Sequence, residues 1–298
     1  MTGSYILAQL VNGLILGSMY ALIAIGFSMI YGIVRLINFA HGDIFTIGAF
    51  ATLASLALVH APFPLAVAIV LAAGALAGVI IERAAFRPMR GAPQVTGFIA
   101  SLAVAIILEN LAVLTITAQP RTFTVPAYLG QLITFGDLSF RVIDAVIVVF
   151  AIVLMIALVC FVRFTRVGVA MRATAENYDV ARLMGINIDR MISMAFAIGS
   201  ALAATAGLMW GSKYGQISPL MGLLPGLKAF VAAVIGGVGS ITGAMLGGYV
   251  LGLSEVLFVG LLPPEFSGYR NAFVFGTLIL VLLVMPNGLL GRSTETRA

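Results

Sequence analysis

Few side chains in this 298-residue chain can do chemistry, and those that can stand between long uncharged runs. Asn38-Phe-Ala-His-Gly-Asp43 sets an amide, an imidazole and a carboxylate close together. Glu109 with Asn110, and Glu255, interrupt otherwise apolar stretches. An ionised group at the centre of a membrane helix costs about 2.5–3.5 kcal/mol on insertion scales, so such residues face protein or a wet cavity. Two readings stay open for Asn38, His41, Asp43, Glu109, Asn110 and Glu255. They line or gate a solute path, or they make structural hydrogen bonds, a carboxyl being held neutral where needed. His41 either ties the Asn38–Asp43 turn together through its ring nitrogens or faces the path, and Asp43 is placed to cap the helix that follows. A proton relay needs a chain of acids or histidines, and these are isolated. Cys160 is the only cysteine, and His41 and His60 are far apart, so neither a disulfide nor a metal site is expected.

The elements that must hold these groups are membrane helices. Arg35 is the first charge in the chain, and residues 44–81, 91–108, 145–162, 191–212, 229–254 and 271–291 contain no Asp, Glu, Lys or Arg. The chain is 61% hydrophobic and 9% charged, with mean hydropathy +1.14, against about 25% charged residues in a soluble domain. Disorder is excluded by the same composition. A crossing helix needs about 20 apolar residues. Spans are expected near 5–30, 43–59, 63–81, 95–117, 143–162, 191–210, 227–238, 241–262 and 271–290. The 227–238 segment is short enough to be a half-helix or re-entrant piece. The expected fold is an all-α polytopic bundle of eight or nine spans, a single membrane domain over 1–298 with a cytoplasmic loop at 163–190. Residues 1–4 lack the basic start of an export signal, so the first apolar run is expected to stay as a span.

The net charge of +5 does not point to nucleic acid. The basic residues sit singly at span ends, with no run interleaved by aromatics. Arg83, Arg87 and Arg90 share one loop, Arg163, Arg166, Arg172, Arg182 and Arg190 another, and Arg292 and Arg297 the tail; the positive-inside rule puts all three in the cytoplasm and the N-terminus outside. Arg35 is expected near the cytoplasmic interface, and Trp210 and Tyr214 at the outer one.

Glycines recur at four-residue spacing: Gly13 with Gly17, Gly74 with Gly78, and Gly239, Gly243 and Gly247 with Gly248 and Gly252 alongside. Small residues so spaced let helix backbones approach closely in lipid, either inside one subunit or at a seam between two. Asn38–Asp43 and Gly236-Gly-Val-Gly-Ser240 both break apolar runs. Irregular backbone survives at membrane depth only beside protein or a water-filled cavity, so both breaks point to a transport path.

One stretch between spans has its own pattern. In Arg172-Ala-Thr-Ala-Glu-Asn-Tyr-Asp-Val-Ala-Arg-Leu-Met-Gly185, Thr174 is a candidate cap, Glu176 suits a first turn and Gly185 suits a stop. The expected product is one helix of about nine residues with Val180, Leu183 and Met184 as its apolar face. Its two acids disfavour contact with anionic lipid, and insertion into a partner's groove fits better.

Asp179-Val-Ala-Arg-Leu-Met-Gly185 resembles the EAA-x3-G loop of ABC importer permeases, with Asp for Glu and Val for the first Ala, and without the downstream Ile and Leu-Pro. Tyr20-Ala-Leu-Ile-Ala-Ile-Gly-Phe-Ser-Met-Ile-Tyr-Gly32, Ile37-Asn-Phe-Ala-His-Gly-Asp43, Arg182-Leu-Met-Gly-Ile-Asn187, Lys228-Ala-Phe-Val-Ala-Ala-Val-Ile-Gly-Gly-Val-Gly-Ser-Ile-Thr-Gly-Ala244 and Leu283-Val-Met-Pro-Asn-Gly288 are similar, in order, to segments of high-affinity branched-chain amino acid permeases. The resemblance covers nearly the whole chain. It implies a coupling helix containing Glu176, Asn177, Asp179, Ala181, Arg182, Leu183 and Gly185. It also implies a second homologous permease, two cytoplasmic ATPases that use ATP and Mg, and a periplasmic protein that delivers leucine, isoleucine or valine at a bacterial inner membrane. Related permeases carry urea, short amides or other amino acids. The chain has no G-x-x-x-x-G-K-[ST] phosphate loop, since neither Lys213 nor Lys228 directly follows Gly, so it is not expected to be an enzyme or to hold a cofactor. The other readings are an ATP-independent secondary transporter, which would carry coupling residues in the membrane and no docking helix, and a non-transporting scaffold, which leaves the breaks unexplained.

Overall fold

The charge-free N-terminal run becomes α1 (Gly3–Val34), the longest helix and the middle of the molecule. It is apolar on every side, and a helix of that kind is stable where neighbours enclose it. From Ile15 to Ile30 every residue is buried. The computed structural model describes residues 3–57, 59–116, 118–136 and 138–291, with the side chains of Gln94 and Phe135 left aside. Arg292 and Arg297, two of the expected cytoplasmic charges, lie outside the described residues.

Around α1 stand α2 (His41–Ala57), α3 (Phe63–Ile81), α4 (Gln94–Thr115), α5 (Val142–Phe164), α6 (Arg166–Glu176), α7 (Tyr178–Leu183), α8 (Ile188–Tyr214), α9 (Leu223–Gly236), α10 (Ile241–Leu261) and α11 (Arg270–Val284). Each of the nine expected spans contains a helix, although the last ends at Val284, short of the expected residue 290. Among the described residues, seven helical segments are long and apolar enough to cross a membrane. The other two are α2, of 17 residues, and α9, of 14. At 1.5 Å per residue α9 reaches only about 21 Å, as its shortness in the sequence suggested. The bundle carries two short antiparallel ribbons as well: β1 (Arg121–Thr122) with β4 (Gln216–Ile217), and β2 (Leu132–Phe135) with β3 (Leu138–Arg141).

Glycine spacing sets the packing. On α10, a Cβ at Gly243 would collide with the Gly236 carbonyl, at Gly247 with that of Ala232, at Gly248 with Ala21 and at Gly252 with Gly17. One row therefore meets α9 and the other meets α1. Gly74 and Gly78 bring α3 against Ala204 and Ser200 of α8. These close approaches all lie within the chain. Gly239 is no part of the α10 face: it sits in the turn from α9 to α10 at φ +85°, a conformation that only glycine adopts without strain.

The two arginine-rich loops come to the same end. Arg87 Nη2 donates to Asp189 Oδ2 at 2.6 Å, and Arg90 bonds both Asp189 and Glu82. At the opposite end, Lys213 Nζ meets Asp144 Oδ1 at 2.7 Å and Arg141 donates to the Lys213 carbonyl. Trp210 lies half-buried between Phe45 and Tyr214 rather than standing out as an interface anchor.

Candidate functional site

Two regions collect the residues singled out in the sequence. The first is the helical pair α6–α7 at the arginine-rich end. The single helix expected from Thr174 is two helices. Thr174 is fully buried inside α6, and its hydroxyl donates to the Ala170 carbonyl at 2.8 Å. Its oxygen is thereby committed to its own helix, and the caps are other residues. Thr165 starts α6, accepting from the Gly168 amide at 3.0 Å. Asn177, extended at φ −155°, ends α6 and starts α7, accepting from the Asp179 and Val180 amides at 2.9 and 3.1 Å. Gly185, at φ +79°, closes α7. Its amide donates to the Arg182 carbonyl and the Ile186 amide to that of Ala181, each at 3.0 Å.

The face this pair presents is apolar. Ala181 is turned inward, and the Tyr178 hydroxyl donates to the Ile33 carbonyl at the end of α1. Burial pushes the Tyr178 phenol above its ordinary range. Val180, Leu183 and Met184 point out, Leu183 with 87% and Met184 with 77% of their surface exposed. Glu176, Asn177, Asp179 and Arg182 surround them, also exposed.

The second region is the break before α2. After Val34 the chain leaves the helix through Arg35 at φ +56°, turns at Phe39–Ala40 and re-enters helix at His41, so Asp43 lies inside the first turn and does not cap it. His41 Nε2 lies 3.2 Å from the Ile23 carbonyl. A carbonyl only accepts, so Nε2 carries the proton and Nδ1 keeps its lone pair. Ile23 is about 16 Å of helix from the end of α1, so α2 begins at membrane depth. The start of α9 meets it there: a Cβ on Gly42 would lie 2.5 Å from the Gly222 carbonyl oxygen and 3.1 Å from Gly226 Cα. The two short helices thus bring their N-terminal turns together, backbone on backbone.

Small cavities flank this junction. One, of about 10 Å³, is lined by Asn38, His41 and Phe27, Phe39 and Phe230. The other, of about 40 Å³, is lined by Asp43, Thr46 and Glu109 among apolar side chains. The larger has room for water, and both are too small for an aliphatic side chain.

The six candidate path residues therefore separate. Asn38 and His41 come together in one cavity, and Asp43 and Glu109 come together in the other. Asn110 is exposed and bonds back to the Ile106 carbonyl at 2.7 Å. Glu255 lines neither cavity. It is fully buried and holds Lys228 Nζ at 2.6 Å and the Arg270 guanidinium. Lys228 Nζ also lies 5.9 Å from the Tyr20 ring centroid.

A further cluster gave no signal in the sequence. Glu82, fully buried in a π-helical turn after α3, accepts from Ser193 Oγ at 2.7 Å and from Arg90. The Arg87–Asp189–Arg90–Glu82–Ser193 chain fastens the first arginine loop to the base of α8, directly after α7. Sequence spacing offers no clue to it, because its two halves, Glu82 to Arg90 and Asp189 to Ser193, lie about a hundred residues apart.

The comparisons with known proteins agree in direction. Residues 9–283 match the family model described as branched-chain amino acid transport system / permease component. The chain is 42% identical over 300 residues to the high-affinity branched-chain amino acid transport system permease protein LivH of Salmonella typhimurium, covering 97% of this chain and 96% of the relative. It is 43% identical to LivH of Escherichia coli strain K12 over 304 residues and 40% identical to BraD of Pseudomonas aeruginosa over 299, with coverage of 96–97% on both sides. No solved structure matches the chain significantly. With its apolar helices and this match over nearly its full length, the chain belongs to the family of branched-chain amino acid transport system permease components and is a multi-pass inner-membrane protein.

Proposed function

We propose that this chain is one membrane subunit of an ATP-driven importer of leucine, isoleucine and valine. The observation that carries the ATP-driven part is the exposed apolar crest of α7. Leu183 and Met184 stand almost fully in solvent on a helix whose other side is anchored to α1 and α8. Large exposed apolar side chains beside charged ones mark a docking surface. The partners proposed for it are two cytoplasmic ATPases that bind ATP and Mg. The chain itself lacks the phosphate loop that would hold a nucleotide. A second, homologous permease and a periplasmic binding protein complete the assembly. The substrate class follows the relatives' printed activity and the sparse charge of the bundle, which passes an apolar side chain without holding it.

Movement at α7 has a direct mechanical route inward. Tyr178 is bonded to the end of α1, and α8 starts three residues after Gly185 and runs up beside α2 and α3. A push on α7 reaches the α2–α9 junction through these packed helices.

The test is leucine uptake by the complete complex in proteoliposomes with ATP inside. Leu183→Asp is expected to abolish most uptake and to weaken co-purification of the ATPase subunits, while the thermal stability of the membrane subunit stays within about 0.5 kcal/mol, as for other exposed positions. Uptake that persists in Leu183→Asp and without ATP would favour the ATP-independent transporter instead.

A further inference from the structure

We infer that the α2–α9 junction is the station at which the amino acid's charged backbone crosses the membrane interior, with Asn38 and His41 as its polar contacts. This rests on the proposed function above and assigns the zwitterion, as distinct from the side chain, to named residues.

Three independent observations meet here. Among the described residues, neither amide atom of Asn38 nor His41 Nδ1 has a hydrogen-bond partner, although each residue is only 2% exposed. Leaving a buried polar group unsatisfied costs about 1–3 kcal/mol, and here the two residues that carry three such atoms line one cavity. Second, α2 and α9 both direct their N-terminal turns at this point. Each carries a partial positive charge that favours an anion. Third, the chemistry of the open atoms matches a zwitterion. Asn38 Nδ2 donates, as a carboxylate requires, and Asn38 Oδ1 and His41 Nδ1 accept, as an ammonium requires.

The surroundings suit the rest of the solute. Phe27 packs edge-on to Phe230 at 5.4 Å, and Phe39 lies 6.5 Å from Phe230. These rings offer an aliphatic side chain an apolar wall without a polar atom. Asp43, two residues further along α2, and Glu109 of α4 line the neighbouring cavity and supply a second acceptor pair for the ammonium as it moves. The cavity is closed to anything larger than water in this structure. The junction that closes it is mainly glycine backbone at Gly42, Gly222 and Gly226, with the Thr46 side chain beside Gly222.

The experiment measures leucine uptake by proteoliposomes holding the complete complex and supplied with its binding protein and ATP, with co-purification of the subunits as the assembly control. Asn38→Ala is expected to lower uptake roughly tenfold, the loss expected when one charge-assisted hydrogen bond goes. Asn38→Asp, nearly isosteric, is expected to be worse, because a carboxylate then faces the substrate carboxylate. A purely structural Asn38 reverses that order, the isostere being the milder change, and that result or wild-type uptake by both variants overturns the inference. Should the Asp variant fail to assemble, Asn38→Ser against Asn38→Ala decides. More uptake with the serine hydroxyl supports the contact, and equal loss rejects it. A wild-type complex that moves no leucine rejects the proposed function itself, and this inference with it.

Discussion

Glu255 shows how one buried carboxylate answers to its neighbours. It stands between two cations, Lys228 and Arg270, so the three side chains sum to one positive charge. Removing one partner of a buried pair is costly when it leaves the other uncompensated, by about 3–5 kcal/mol. Glu255→Ala is therefore expected to destabilise the purified subunit by that amount in thermal unfolding. Lys228→Met leaves Glu255 matched to Arg270 and is expected to cost much less. Equal losses would mean that packing, not charge, governs the site. The sequence marks Glu255 as a group that needs a partner, because its apolar run makes the cost visible. It does not name Lys228 or Arg270, since a helix crossing decides which distant side chains meet.

At the scale of the element, α7 is a six-residue helix that depends on its ends. So short a helix has no stability of its own and is held by caps and packing. Asn177→Ala removes the cap and is expected to cost about 1 kcal/mol. Gly185→Ala forces a side chain into φ +79° and is expected to cost a similar amount, about 1 kcal/mol. Both changes act on an exposed hairpin, so uptake should fall several-fold while the unfolding temperature of the whole subunit hardly moves. A large fall in that temperature would show that α7 is part of the core. Gly185 was legible as a stop because glycine alone suits the left-handed turn. Thr174 was misleading because a hydroxyl that can cap a helix can equally bond back inside one, and only the burial of that helix face selects between them.

The whole molecule turns on which side of the membrane α7 faces. The arginine loops at 83–90 and 163–190 gather at one end through Asp189 and Glu82, the end that the positive-inside rule assigns to the cytoplasm. Leu183→Cys in a Cys160→Ser background is expected to react with a membrane-impermeant maleimide in inverted vesicles and not in intact cells. The background change matters because Cys160 is itself exposed. Labelling from intact cells would invert the topology and remove α7 from any cytoplasmic partner.

Approximate span positions, the two breaks, most of the small-residue rows (Gly239 excepted) and the family were readable from the chain alone. The reason is that a bilayer punishes every charge and every open backbone group, so the few exceptions are conspicuous in a one-dimensional string. What only the tertiary structure decided is which exceptions share a space. Asn38 joins His41 and Asp43 joins Glu109, while Asn110 turns outward and Glu255 is neutralised elsewhere. Helix rotation and crossing fix these groupings, and they follow from glycine contacts between helices far apart in the chain, which no local pattern encodes.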